Sequence, residues 1–415
     1  MPTPQQHQAG QAVGPPWPPS RTQPPVTITS VRAICTAPEG TRLVVVKVET
    51  SEPGLHGVGC ATFSQRAPVV AHAVDEYLRP MAVGRDPADI EDIWRACQLS
   101  SYWRSGPVLN NALSGLDQAL WDIQAKRAGM PLYQLLGGRC RRAADVYVHV
   151  KGTDLPEITD RTRAFMEDGF RYVRCQPAAP GRLDMTQPSW DPDAYGRLVP
   201  RLFDHLRSEL GEDIGLLHDV HERLPPITAV QLAKDLEQFR LFYLEDLLAP
   251  EDHGYLPILR AQTSTALALG ELCVNPHEYV PFIKERLIDF IRPHVSAIGG
   301  LTPARKLTAL CEFFGVRTAW HGPDDVSPVG HAAQLHLNLA TPNFGIQETH
   351  LFGDAARSVF PGLPEIRDGA MWANDVPGLG IDIDEKAAAH FPFADHPLNA
   401  SWPPVRLADG TVIRP

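Results

Sequence analysis

The chain has 415 residues, more than one average domain, and 43% of them are hydrophobic, enough for a sizeable core. Its formal net charge of −11 argues against a nucleic-acid partner, and no uncharged apolar run of about 18 residues is present to span a membrane. The seven cysteines are scattered and form no CxxC pair, so free thiols in a reducing cytoplasm are expected rather than disulfides or a zinc site.

Residues 1–26 are rich in Pro and Gln and lack the apolar core of a signal peptide, which predicts a disordered tail. VTITSVRAI, TRLVVVKVET and GLHGVGCATF then read as strands. Helical periodicity follows in RAPVVAHAVDEYLRPMAV, DPADIEDIWRAC and NNALSGLDQALWDIQAKRAG, and PLYQLLGG closes the region with glycines. Strands followed by helices predict a compact α+β domain over residues 27–143. From residue 144 to 352 the texture alternates. DVYVHV, YVRCQ, IGLLHDV, LFYLEDL, ALALGEL, IDFIRPHV, VRTAW and FGIQE are strand candidates, with a helix-compatible stretch between most neighbours. Eight such strands fit a closed α/β barrel better than an open sheet. Residues 353–415 are rich in Pro and Gly, end in VRLADGTVIRP, and are expected to pack back on the first domain.

Asp219, Glu245 and Glu271 stand 26 residues apart, each ending a short apolar run. A strand–helix unit needs roughly 30 residues, so the spacing puts an acid at the C-terminal end of three successive parallel strands. In a barrel those ends share the face where active sites sit. Converging carboxylates repel unless a cation holds them, and hard oxygen ligands point to Mg²⁺. His221 lies two residues beyond Asp219 and, if the strand continues, faces the same mouth as a general acid or base. His149, Arg174, Arg292, His321, Asp325 and Glu348 lie at or near the ends of the other strands. Together they describe a pocket for a small, oxygen-rich anion, with arginine suited to a carboxylate. The Gly299–Gly300 pair reads as a tight turn whose backbone N–H groups could also face an anion. There is no Walker loop, no GxGxxG after the first strand and no GxSxG.

These features resemble the enolase superfamily: the Asp/Glu/Glu triad, the α+β cap and LWDIQAKRAGMPLYQLLGG. Within it the chain is similar to the mannonate dehydratase group of acid-sugar dehydratases, also described as the D-galactonate dehydratase family. VYVHVKG, LLHDVHERL, LFYLED, LALGE, HGPDDVSPVGHAA, NFGIQE and PGLGIDIDE carry that likeness. The resemblance implies a modified TIM barrel, (β/α)7β, with an N-terminal α+β capping domain completed by the C-terminal tail, in a cytoplasmic homo-oligomer. It implies one Mg²⁺ on Asp219, Glu245 and Glu271. It also implies loss of water from an aldonate by β-elimination, through an enediolate, to a 2-keto-3-deoxy acid. His221 matches the family's general acid and Arg174 the arginine beside its base, while His149, Arg292, His321, Asp325 and Glu348 match residues that contact the sugar acid. Three positions depart from the family pattern. No tyrosine follows Arg174 by about twelve residues, Ser64 stands where relatives have asparagine, and a C-terminal tryptophan is absent from GTVIRP. These departures point away from D-mannonate, make His321 a candidate replacement base, and leave open a member that binds or senses a sugar acid without turning it over.

Overall fold

The computed structural model describes residues 24–177, 189–394 and 405–414. Most of the expected N-terminal tail (1–23) and most of the stretch in which the family tyrosine is missing (178–188) lie outside the described residues. The tail expectation fails at its end, where Val26 is buried and Pro24 accepts a hydrogen bond from Arg127.

Three antiparallel strands open the cap: β1 (Ile28–Thr36), β2 (Leu43–Thr50) and β3 (His56–Cys60). The helix Pro107–Arg127 lies across them and closes a core with Val44, Val46, Val48, Leu116 and Leu120. It approaches closely because β3 carries glycine. A Cβ on Gly59 would stand 2.1 Å from the Gly115 carbonyl oxygen.

The barrel begins at β4 (Ala144–Gly152) and β5 (Tyr172–Pro177). A two-residue strand outside it, β6 (Ser189–Trp190), precedes β7 (Gly215–Asp219), β8 (Tyr243–Glu245), β9 (Leu267–Leu269), β10 (Phe290–Ile291), β11 (Arg317–Thr318) and β12 (Gln347–Glu348). Apart from β6, these strands pair in parallel. β12 pairs with β4, and a Thr318–Phe344 bridge links β11 to the approach to β12, so the sheet closes. This is the modified TIM barrel with an N-terminal capping domain that the residue pattern predicts.

The tail divides between the two units. Glu385 is bound by Arg32 and Lys47 of the cap, as expected. The hairpin of β13 (Glu365–Arg367) and β14 (Ala370–Trp372) instead joins the start of β4. The last pair, β15 (Val405–Leu407) and β16 (Val412–Ile413), adds to β6 beside the barrel. Strand edges left open on the barrel side decide this, and composition does not reveal them.

Cap and barrel meet at Asp117. Its carboxylate accepts from Thr302 N (2.9 Å) and Thr302 Oγ1 (2.5 Å), capping the helix Leu301–Phe314. The N–H groups of Gly299 and Gly300 donate instead to the Ser296 and Val295 carbonyls, which corrects the expectation that they face an anion. Burial pushes the Asp117 carboxyl up to about 7, against the pull of the Thr302 bonds. An unfolded aspartate titrates near 3.9, so the folded chain keeps its proton over that window and loses stability as pH rises through it. Asp117→Asn should remove the slope. Its stability relative to wild type should improve by roughly 2–3 kcal/mol from pH 5 to 8, at about 1.36 kcal/mol per unit. Urea unfolding at both pH values checks this; a constant difference would reject it.

Candidate active site

Seven barrel strands repeat one rule. Tyr147, Leu217, Tyr243, Ala268, Phe290, Ala319 and Ile346 form one buried cluster, with Tyr172 packed against it. Two residues further along their strands stand His149, Arg174, Asp219, Glu245, Arg292, His321 and Glu348. Period-two alternation thus lays a polar layer over an apolar floor, at the C-terminal end of the strands. β9 is the exception. Two residues past Ala268 comes Gly270, at φ +134, and the acid is Glu271. The left-handed glycine breaks the alternation and lets Glu271 reach His321.

These residues hold one another. Asp219 Oδ2 receives Arg174 Nη1 at 2.8 Å and His221 Nε2 at 2.7 Å, while Oδ1 accepts from His221 N at 2.8 Å. His221 reaches the mouth by a different route from strand alternation, because β7 stops at Asp219. His221 and Glu222 follow with φ of +50 and +52, a turn that folds the imidazole back. Glu348 collects Arg292 Nη2 (2.7 Å), His149 Nε2 (2.7 Å) and Gly322 N (2.9 Å). Asp325 and Glu271 bracket His321, at 3.2 Å from Nε2 and 2.9 Å from Nδ1. All ten residues singled out from the sequence are therefore gathered at one mouth.

Burial and neighbouring charges shift these groups in opposite directions. Burial lowers His321, but Asp325 and Glu271 more than reverse this and hold it well above its usual range. The carboxylate on each nitrogen favours its charged form. Burial pulls Arg174 down, and Asp219, Glu348 and Glu245 more than restore it, so the guanidinium stays charged. His221 is lowered by burial against the pull of Asp219, and His149 is pushed down to about 4 by burial and by Arg174.

Sequence reasoning missed three members. Asp246 is buried at the end of β8, and single oxygens of Glu245, Asp246 and Glu271 lie within 4.8 Å of one another. Strict alternation would point Asp246 away, but its φ of +41 turns the chain. The adjacent acids in LED were the available signal. Gln176, two residues past Arg174, donates to the Asp219 carbonyl at 2.9 Å. His294 faces His321, ring centres 5.4 Å apart.

The arrangement suits a divalent cation. Glu245 Oε2 and Asp246 Oδ2 are buried without a hydrogen-bond donor, and Glu245 Oε1, though 2.9 Å from Arg292 Nε, is out of line for one. Burial, and then the neighbouring carboxylates, raise Asp246 far above its usual range; Glu245 is raised likewise by burial, against Arg292. Acids so destabilised in their charged form call for a cation. Beside them opens a cavity of about 550 Å³, between Phe63 and Asn111 of the cap and His221, Glu271, His321 and Asp325 of the barrel. It has room for a small organic molecule.

A closed barrel under an α+β cap, with carboxylates at successive strand ends, defines a class of proteins, and comparison with known families identifies it. Residues 157–387 match the enolase C-terminal domain-like family and residues 19–137 the mandelate racemase / muconate lactonizing enzyme N-terminal domain. The chain belongs to the enolase superfamily. Among curated relatives, a D-galactonate dehydratase family member of Salmonella enteritidis is 54% identical over 414 residues, covering 94% of this chain and 98% of the relative. One from Pantoea ananatis is 52% identical, covering 94% and 99%. A crystal structure of an enolase from Pantoea ananatis with bound D-gluconate and Mg superposes with a TM-score of 0.91 at 52% identity, covering 94% of this chain and all of that one. A putative dehydratase from Zymomonas mobilis superposes at 0.78 with 25% identity, covering 87% of this chain and 97% of the other.

Proposed function

We propose that this chain is a Mg²⁺-dependent acid-sugar dehydratase that removes water from an aldonate of the D-gluconate type, giving a 2-keto-3-deoxy acid. The observation that carries it is the set of buried, unsatisfied carboxylate oxygens of Glu245 and Asp246 beside Glu271, ringed by Arg174, Arg292, His221 and His321. The dehydratase-family relatives and the D-gluconate and Mg of the Pantoea ananatis structure support it.

Glu245, Glu271 and Asp219 would hold the ion, with Asp246 adding to the field. Bound there, Mg²⁺ would supply positive charge to the substrate carboxylate as the C2 proton passes to water. Arg292 and Arg174 orient that carboxylate, and stay charged throughout. The C3–O bond breaks as His221 gives its Nε2 proton to the departing hydroxyl, releasing water. The resulting enol gives its hydroxyl proton to solvent, takes one up at C3 and becomes the ketone. His321, held between Asp325 and Glu271, forms part of the wall of the substrate cavity.

Incubating the full chain with Mg²⁺ and a panel of five- and six-carbon aldonates, and assaying 2-keto acid as the semicarbazone, tests this. Turnover of at least one aldonate is expected. Tight binding across the panel without any keto acid would favour a silent binding protein instead.

A further inference from the structure

The barrel has eight strands, but its ring of helices is incomplete. After β12 the chain makes only a six-residue helix, Asp354–Val359, and then the β13–β14 hairpin. Residues 350–371 fill the place between the helix Leu155–Glu167 and the helix Pro328–Ala340. They fill it imperfectly and leave a cavity of about 340 Å³. The apolar part of its wall includes Phe170, Phe352, Ile366 and Met371.

Five polar side chains line this space, Asp168, His331, His350, Arg357 and Asp368, of which His350 is paired with Glu39. His331, 1% exposed, lies within the helix Pro328–Ala340, and its Nδ1 is buried without a partner. Its Nε2 is 3.3 Å from the Pro323 carbonyl, which can only accept, so Nε2 carries the hydrogen and Nδ1 the lone pair. Burial pushes this imidazole down to about 4, which keeps it neutral. A buried acceptor is costly unless something donates to it. At the mouth, Arg357 is exposed and has no ion pair among the described residues.

We propose that this cavity is a second ligand site, separate from the barrel mouth, for a small amphipathic monocarboxylic acid that carries a hydroxyl or N–H donor. The apolar body lies among Phe170, Phe352 and Met371, the donor meets His331 Nδ1, and the carboxylate meets Arg357. Asp168 and Asp368, also on the rim, disfavour a second anionic group. The Pro323 carbonyl that His331 holds belongs to the segment joining His321 to Asp325. An occupant therefore touches the side chain that steadies the edge of the active site.

The probe is 4-hydroxyphenylacetate, titrated into the full chain by calorimetry. Saturable binding is expected. Phenylacetate, which lacks the hydroxyl, should bind about tenfold more weakly or worse, and so should the probe on Arg357→Gln, with Arg357→Lys recovering part of the loss. Arg357 is on the surface, so these variants should fold. No saturable binding up to about 10 mM would overturn the proposal, as would binding indifferent to both the hydroxyl and Arg357.

Discussion

Glu245→Gln is expected to weaken Mg²⁺ binding by more than about 100-fold and to abolish dehydration. Glu245 is fully buried, one of its oxygens has no donor, and its neighbours Asp246 and Glu271 are also acidic. An amide there removes the charge that makes the place attractive to a hard cation. The same experiment separates two candidates for the third ligand. Strand spacing selects Asp219, which pairs in register with Glu245 across β7 and β8. Convergence of oxygens selects Asp246. Asp219 and Glu245 both point inward by alternation, while Asp246 gets there only through its turned backbone. Asp219→Asn should therefore cost as much as Glu245→Gln, and Asp246→Asn about tenfold less. The reverse ranking, in calorimetric titrations with Mg²⁺ alone, would move the third ligand to Asp246. Burial raises both Glu245 and Asp246, so the metal-free chain retains protons there that Mg²⁺ must expel. Apparent affinity should accordingly rise with pH.

Much of this was legible because the barrel converts sequence period into geometry. Eight apolar runs with a polar residue at or near the end of each were enough to place His149, Arg174, Asp219, Glu245, Arg292 and Glu348 at one mouth, since each strand obeys the same alternation. The errors cluster where alternation stops. His221 and Asp246 sit at left-handed backbone positions just past strand ends, and local sequence does not announce such turns in non-glycine residues. The charge on His321 was hidden for a different reason. It depends on Asp325 and Glu271 arriving from two segments, and only the fold sets those distances. The tail was misjudged because its partners, β4 and β6, are strands with open edges.

His221→Asn should lower dehydration by about 10³-fold, within the usual range for a general acid, while changing Mg²⁺ affinity by no more than about threefold. Asparagine is the informative replacement. It tolerates a φ of +50 better than most residues, so the turn after β7 survives, and its amide can still donate to Asp219 Oδ2 as the imidazole does at 2.7 Å. What it lacks is a proton it can give away at neutral pH. Two measurements isolate that loss. If His221 protonates only the departing hydroxyl, exchange of the C2 hydrogen in D₂O should persist in the variant even as keto acid production collapses, because breaking the C2–H bond does not draw on this imidazole. If exchange and elimination fall together, His221 acts on the C2 proton or positions the whole site through Asp219. Unimpaired elimination would place the acid elsewhere, and His321, already charged and within the same cavity, would be the next residue to replace.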